Sequence, residues 1–149
     1  MEPTFKPYVK VYYDSQDTAP TVDQVVVFHL PAAAFEGSCG DNPPPGHACQ
    51  EAAPGLSGTL DLGRVVAVGG DAVAFREGNV IRDGRSQDES FTKPCGNGPV
   101  CTFSDPITVP AGSYYILYDD RSQLRDSRVW GAVPQAAIVG VVNGTAGSS

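Results

Sequence analysis

Positive charge is scarce in this chain: ten Lys and Arg, scattered along 149 residues, stand against 17 Asp and Glu and leave a net charge of −7. Without a basic stripe there is nothing to hold a phosphate backbone, and nucleic acid is excluded as a partner. Long apolar runs are missing too, none approaching the roughly 18 residues that a membrane-spanning helix requires. Histidine is nearly absent, with only His29 and His47, neither beside an obvious Ser or Cys nucleophile. HExxH, P-loop and dinucleotide fingerprints are lacking, so no cofactor and no metal is expected. No segment keeps a helical period over a helix-sized window, and no internal repeat is visible.

What is present is turn chemistry, with 17 Gly and 13 Pro between short apolar runs. Strands are expected at residues 9–13 and 25–30, and on both sides of the Gly69-Gly70-Asp71 turn. A hairpin over 75–81 bends at Glu77-Gly78, and residues 107–109 lead through Pro110-Ala111-Gly112 into a strand at 114–118. The last strand is 138–142, followed by a polar tail at 143–149. The pattern predicts a mostly β fold, with antiparallel β sheets in a barrel-like or sandwiched arrangement within a single domain, 1–149. His29 lies inside the second strand and reads as a strand histidine with a local partner.

The four cysteines form two close pairs, Cys39 with Cys49 and Cys95 with Cys101, separated by Gly, Pro and Asn that let each loop fold back. Two local disulfides are the economical reading and imply an oxidising compartment. A metal site joined by His47 is the rival, although the spacing matches no CxxC zinc pattern. The first pair lies in a Gly/Pro-rich loop, residues 31–58, which can bury little and needs a staple. Because the start of the chain has neither a basic nor an apolar leader, an export or anchoring segment is expected N-terminal to Met1.

The densest chemistry lies in residues 114–134, where an apolar run ends in Asp119, Asp120, Arg121, Arg125, Asp126 and Arg128. Opposite charges beside core residues neutralise one another, because an unpaired charge near a core is costly to desolvate. A fold-holding ion network is therefore expected, with Asp126 and Arg128 sharing one face of an extended strand. Asp119 and Asp120 could form an acid and base pair, but arginine neighbours would keep both ionised.

These segments, in this order, resemble the extracytoplasmic domain of bacterial type I signal peptidases, membrane-bound serine endopeptidases with a Ser/Lys dyad. Met1-Glu2-Pro3-Thr4 is similar to the S-M-x-P-T motif after its serine, and residues 22–28 are similar to G-D-x-V-V-F. Residues 63–71 are similar to K-R-V-V-x-x-x-G-D, and residues 108–134 to the long motif T-V-P-x-G-x-Y-F-V-L-G-D-N-R-x-N-S-x-D-S-R-x-W-G-x-V-P. The resemblance implies structural roles for Arg64, Asp119, Arg121, Asp126, Ser127 and Arg128, which keep their types. It implies a peptide groove along Met1, Phe5, Asp61, Leu62 and Gly63, and as partners the signal peptides of exported preproteins or other extended peptides. It places the protein on the extracytoplasmic face of a bacterial cell membrane.

The departures bear on catalysis. The nucleophilic serine would immediately precede Met1, the general-base lysine falls at Gly63, and the serine that orients that lysine falls at Leu124. The glycine before the motif's first aspartate is Tyr118, and its two asparagines are Asp120 and Gln123. A serine becomes a nucleophile only when a base takes its proton, and glycine offers none. An inactive signal-peptidase-like chain is expected, either the soluble part of a peptidase or a non-catalytic homologue that binds extended peptides. Leu124 beside Gly63 would then be a relaxed, apolar former site, and Lys6, Lys10 and Lys93 are the lysines available to take over.

Overall fold

The computed structural model describes residues 1–6, 9–98 and 101–146. Two antiparallel sheets carry the fold. The larger has six strands in the order β1 (Lys10–Asp14), β10 (Ile138–Ala146), β2 (Val25–Pro31), β3 (Leu56–Val68), β8 (Ser113–Leu117), β9 (Val133–Pro134). The smaller has four, in the order β6 (Arg85–Ser86), β5 (Asn79–Arg82), β4 (Ala72–Arg76), β7 (Phe103–Thr108). The expectation of a mostly β, antiparallel fold holds.

Side-chain alternation along β3 and β8 divides the interior into two cores. Val65, Tyr114 and Ile116 pack with Val26, Phe28, Trp130, Val133 and Ile138 in one cluster. Their sequence neighbours Val66, Tyr115 and Leu117 point the other way, into a second cluster with Val73, Phe75, Val80 and Ile107 of the smaller sheet. All five residues of β8 are buried, and after Ser113 its sequence runs apolar without the polar alternation of a one-sided strand. Fully burying each such side chain stabilises by about 1.5–3 kcal/mol. Tyr115 and Phe75 stack with ring centroids 5.7 Å apart.

Turn residues set the hairpins of the smaller sheet. Glu77 and Gly78, at φ 52° and 85°, join β4 to β5, and Asp83 and Gly84, at φ 51° and 80°, join β5 to β6. Two consecutive residues in the left-handed region make the turn whose twist matches the strands on either side.

Three expectations are corrected. The polar tail is largely strand, because β10 continues through Ala146 and pairs with β1, Lys10 opposite Ala146 and Tyr12 opposite Gly144. Residues 147–149 lie outside the described residues. The loop at 31–58 is shorter at both ends, since Pro31 closes β2 and β3 begins at Leu56. It also buries more than its composition implies: Ala33, Ala34, Ala48 and Cys49 are in the core. Its backbone is tied to the late segment by Cys49 N–H to Arg128 O at 3.0 Å and Ala52 N–H to Ala132 O at 3.1 Å. Finally, Asp126 and Arg128 do not share a strand face. Asp126 is the N-cap of a one-turn helix, α1 (Ser127–Trp130), and its side chain accepts the Arg128 N–H.

Candidate functional site

The charged segment after β8 divides into separate, buried pairs. Arg64 on β3 grips Asp119 with two parallel bonds, Nε to Oδ1 and Nη2 to Oδ2, both 2.8 Å, and Asp119 has no exposed surface. Thr4 donates its hydroxyl to the same carboxylate, and Arg64 Nη1 donates to the Asp23 carbonyl at 2.6 Å. The ring of Phe91 lies 3.9 Å beneath the guanidinium. Arg121 reaches the smaller sheet, donating to Glu89 Oε2 at 2.7 Å and to the Gly78 carbonyl at 3.0 Å. Arg128 folds back on its own N-cap, with Nη2 2.7 Å from Asp126 Oδ2, and also donates to the Arg121 carbonyl at 3.0 Å. Burial pushes the Asp126 carboxyl above its ordinary range, with the Arg128 guanidinium opposing. Ser127, also buried, accepts the Ile116 N–H at 2.9 Å and so fixes α1 to β8. Nothing in the sequence marks Glu89 as enclosed: it sits in a polar stretch with no apolar pattern, yet its side chain is buried against Arg121.

Asp120 accepts bonds from the Ser122 backbone N–H and hydroxyl, at 3.1 and 2.5 Å, and forms no acid and base pair with Asp119. The two histidines have local partners. His29 Nδ1 lies 3.0 Å from the Ser57 carbonyl, and His47 Nδ1 lies 3.2 Å from the Pro45 carbonyl. Cys39 is bonded to Cys49 and Cys95 to Cys101. The cysteines near His47 are therefore not thiolates that could hold a metal.

A groove of about 500 Å³ is lined by Met1, Phe5, Val11, Val27, Asp61 and Leu62 among others, Glu2 and Lys6 included. One wall is half of β3. Strand β8 pairs only with the stretch from Arg64 onward, whereas β2 pairs along the strand from Arg64 back to Leu56. Residues 56–63 thus have a strand on one side and, among the described residues, none on the other. Val65 N–H and C=O both bond to the Asp23 and Gln24 side. Strand alternation then turns the backbone groups of Leu62 toward the free side.

Gly63 lies at this junction, buried, with Val26 opposite it on β2. A Cβ built on it would collide with Ile116 Cγ2 and come within 3.2 Å of Phe28 Cε1 and 3.6 Å of the Leu117 carbonyl. Ile116 therefore fills the side-chain space at Gly63. Next along the chain, Tyr118 turns out of register with β3 and donates its hydroxyl to Asp61 Oδ2. Burial first, and the Asp61 charge second, push the Tyr118 hydroxyl well above the ordinary tyrosine range, so it stays a donor. A neighbouring cleft of about 400 Å³, lined by Met1, Glu2, Tyr118, Asp120, Gln123 and Arg125, lies on the Tyr118 side.

A two-sheet β fold with a half-free strand, a groove at its edge and an arginine-pinned late segment defines a signal-peptidase-like domain. The family model for signal peptidases of peptidase family S26 matches residues 1–145, and the chain belongs to that family. It is 34% identical over 85 residues to a probable signal peptidase I-1 of Synechocystis sp., covering 56% of this chain and 40% of that one. It is 30% identical over 121 residues to thylakoidal processing peptidase 1 of Arabidopsis thaliana, covering 81% of this chain and 31% of the relative. To an inactive signal peptidase IA of Staphylococcus aureus it is 31% identical over 87 residues, 54% of this chain and 48% of the relative. The chain thus spans less than half the length of each of these relatives. A crystal structure of a signal peptidase I from Enterococcus faecalis shares the fold, with a TM-score of 0.52 at 20% identity over 83% of this chain and 97% of that one. Among the described residues, no helix is long and apolar enough to cross a membrane.

Proposed function

We propose that this chain is a signal-peptidase-type domain that docks the extended end of a preprotein's signal peptide and does not hydrolyse it. The observation that carries this reading is Gly63: the position matching the family's lysine has no side chain, and Ile116 occupies the space one would need. Docking itself is supported by the groove. An extended peptide can add as a strand beside residues 61–63, while its small side chains enter the space between Met1, Phe5 and Leu62. A relative named as inactive, at 31% identity, provides a precedent for a family member without activity. Two disulfides suit the extracytoplasmic face of a bacterial membrane, where such a peptide emerges. Arg64, Asp119, Arg121, Asp126, Ser127 and Arg128 serve as the frame that holds the groove.

Lys6 borders the same groove and is the one lysine placed to act in the missing base's stead. It is exposed, however, at the rim of the groove and not enclosed beside the position of the missing base. The test is a cleavage assay on a preprotein whose signal ends in Ala-x-Ala, with binding of the matching peptide measured alongside by fluorescence anisotropy. Saturable binding without turnover is expected. A serine placed directly before Met1 leaves the chain inactive while Gly63 stands, and a Gly63→Lys, Leu124→Ser pair gains nothing unless Ile116→Ala opens the space. Turnover by the unmodified chain that Lys6→Ala abolishes would overturn the reading.

A further inference from the structure

The free half of β3 is not as open as its pairing implies. Asp61 has its backbone on the β2 side, but its side chain curls along the strand so that Oδ1 accepts the Leu62 N–H at 2.8 Å. That amide is the donor which alternation turns toward the unpaired side. The other carboxylate oxygen, Oδ2, accepts the hydroxyl of Tyr118. Tyr118 follows β8 at the point where β8 stops pairing with β3, and its carbonyl is held by Arg121 Nε at 2.9 Å. An amide at a free edge, a carboxylate clipped onto it and a tyrosine anchoring that carboxylate form one chain of hydrogen bonds from the edge to a buried arginine.

We infer that Asp61 and Tyr118 are a side-chain lock on the edge of β3, masking the Leu62 amide until a partner strand displaces the carboxylate. The physical reason is competition. A carboxylate two bonds from the backbone supplies a charged acceptor at high effective concentration, so an incoming peptide carbonyl gains the Leu62 hydrogen bond only after breaking one already made. Proteins commonly guard unpaired strand edges with charged side chains against unwanted pairing, and Asp61 does so with the same atoms that line the groove. Tyr118 makes the lock firmer than Asp61 alone, because its hydroxyl occupies the oxygen that would otherwise draw the carboxylate into water. It also stands between the groove, where Asp61 is a wall, and the adjoining cleft, where Tyr118 is one. The lock sets a threshold on which peptides dock: only those whose side chains gain enough in the groove can open the edge. This inference rests on the docking reading above.

Amide hydrogen exchange by NMR, on the whole chain, tests the mask directly. In Asp61→Ala, Leu62 exchange is expected to speed by about tenfold or more, the change that follows from losing one net hydrogen bond. The Val65 amide, which donates to the Gln24 carbonyl at 2.9 Å, keeps its parent rate and reports that the sheet is intact. Tyr118→Phe keeps the ring and removes the hydroxyl, so it speeds Leu62 by a smaller factor. An Ala-rich extended peptide then binds Asp61→Ala about tenfold more tightly than the parent. Unchanged Leu62 exchange in a variant with Val65 protected overturns the lock, as does, where the parent binds the peptide measurably, a variant affinity equal to or below the parent's. Should Asp61→Ala lose Val65 protection, Tyr118→Phe decides by the same two readouts. Faster Leu62 exchange with no peptide binding by any chain would uphold the mask and overturn the docking reading. Equal peptide binding with unchanged exchange would do the reverse.

Discussion

Arg64 has three kinds of partner at once: a carboxylate gripped by two bonds, a backbone carbonyl and an aromatic face. Removing it strands Asp119, which has no exposed surface and keeps only the Thr4 hydroxyl from this cluster. Arg64→Ala is therefore expected to cost about 3–5 kcal/mol, the range for breaking a buried pair, read as a lowered urea midpoint with unchanged slope. Arg64→Lys restores the charge but not the planar fork, and its midpoint falls between the two. An Arg64→Ala midpoint equal to the parent's contradicts this account. That Arg64 needed a carboxylate was legible in the sequence, because a charge inside an apolar strand must be neutralised. Arg121 was legible only as a buried charge. Its partner Glu89 is 32 residues away among polar neighbours, and nothing local marks that glutamate as one that will be enclosed.

At the scale of elements, β1 depends on the end of the chain. Val11 faces Thr145 and Tyr13 faces Val142 in the register of β1 on β10, while Val11 and Tyr13 also line the groove. Deleting residues 143–149 removes the partners of Lys10, Val11 and Tyr12 and should release that wall. Peptide affinity is expected to fall at least about tenfold, consistent with losing one or two buried apolar contacts, and the amides of β1 to exchange faster. Undiminished binding by the shortened chain would show that β1 is no part of the groove. Among the strands that could be read in advance, β2 and β8 show as apolar runs that enter a core, and β1 shows by alternation although it is largely exposed. The end of β10 could not, because Asn143, Gly144 and Thr145 bury little and are strand only through the hydrogen bonds that β1 supplies. The helical turn at Asp126 was likewise hidden, since four residues are too few to establish a period.

The whole molecule should be more sensitive to alkali than to moderate acid at its tyrosines. Tyr115 is buried with its hydroxyl donating to the Cys49 carbonyl at 2.7 Å, and burial raises it well above the ordinary value of 10.0. Tyr118 is raised by burial and by Asp61. Both hold their protons in the folded state at a pH where the unfolded chain releases them. Their contribution to stability is therefore complete below about pH 10 and is lost as pH rises toward the folded values. Unfolding followed by phenolate absorbance should show Tyr115 and Tyr118 ionising only with the loss of structure. In Tyr115→Phe, Tyr118→Phe the decline of stability above about pH 10 becomes shallower, and an unchanged slope would argue against the assignment. The arginine pairs carry one more consequence, in time and not in space. Thr4 meets Asp119 across 115 residues, Arg64 meets the same residue across 55, and β1 waits for β10. A chain synthesised or threaded from its N-terminus carries Arg64 and Glu89 without their partners until the late segment arrives, and buried charges without partners do not stay buried. Folding is thereby deferred to the emergence of the last quarter of the sequence, and a nascent chain halted before Asp119 remains soft, open to proteases and to chaperones alike.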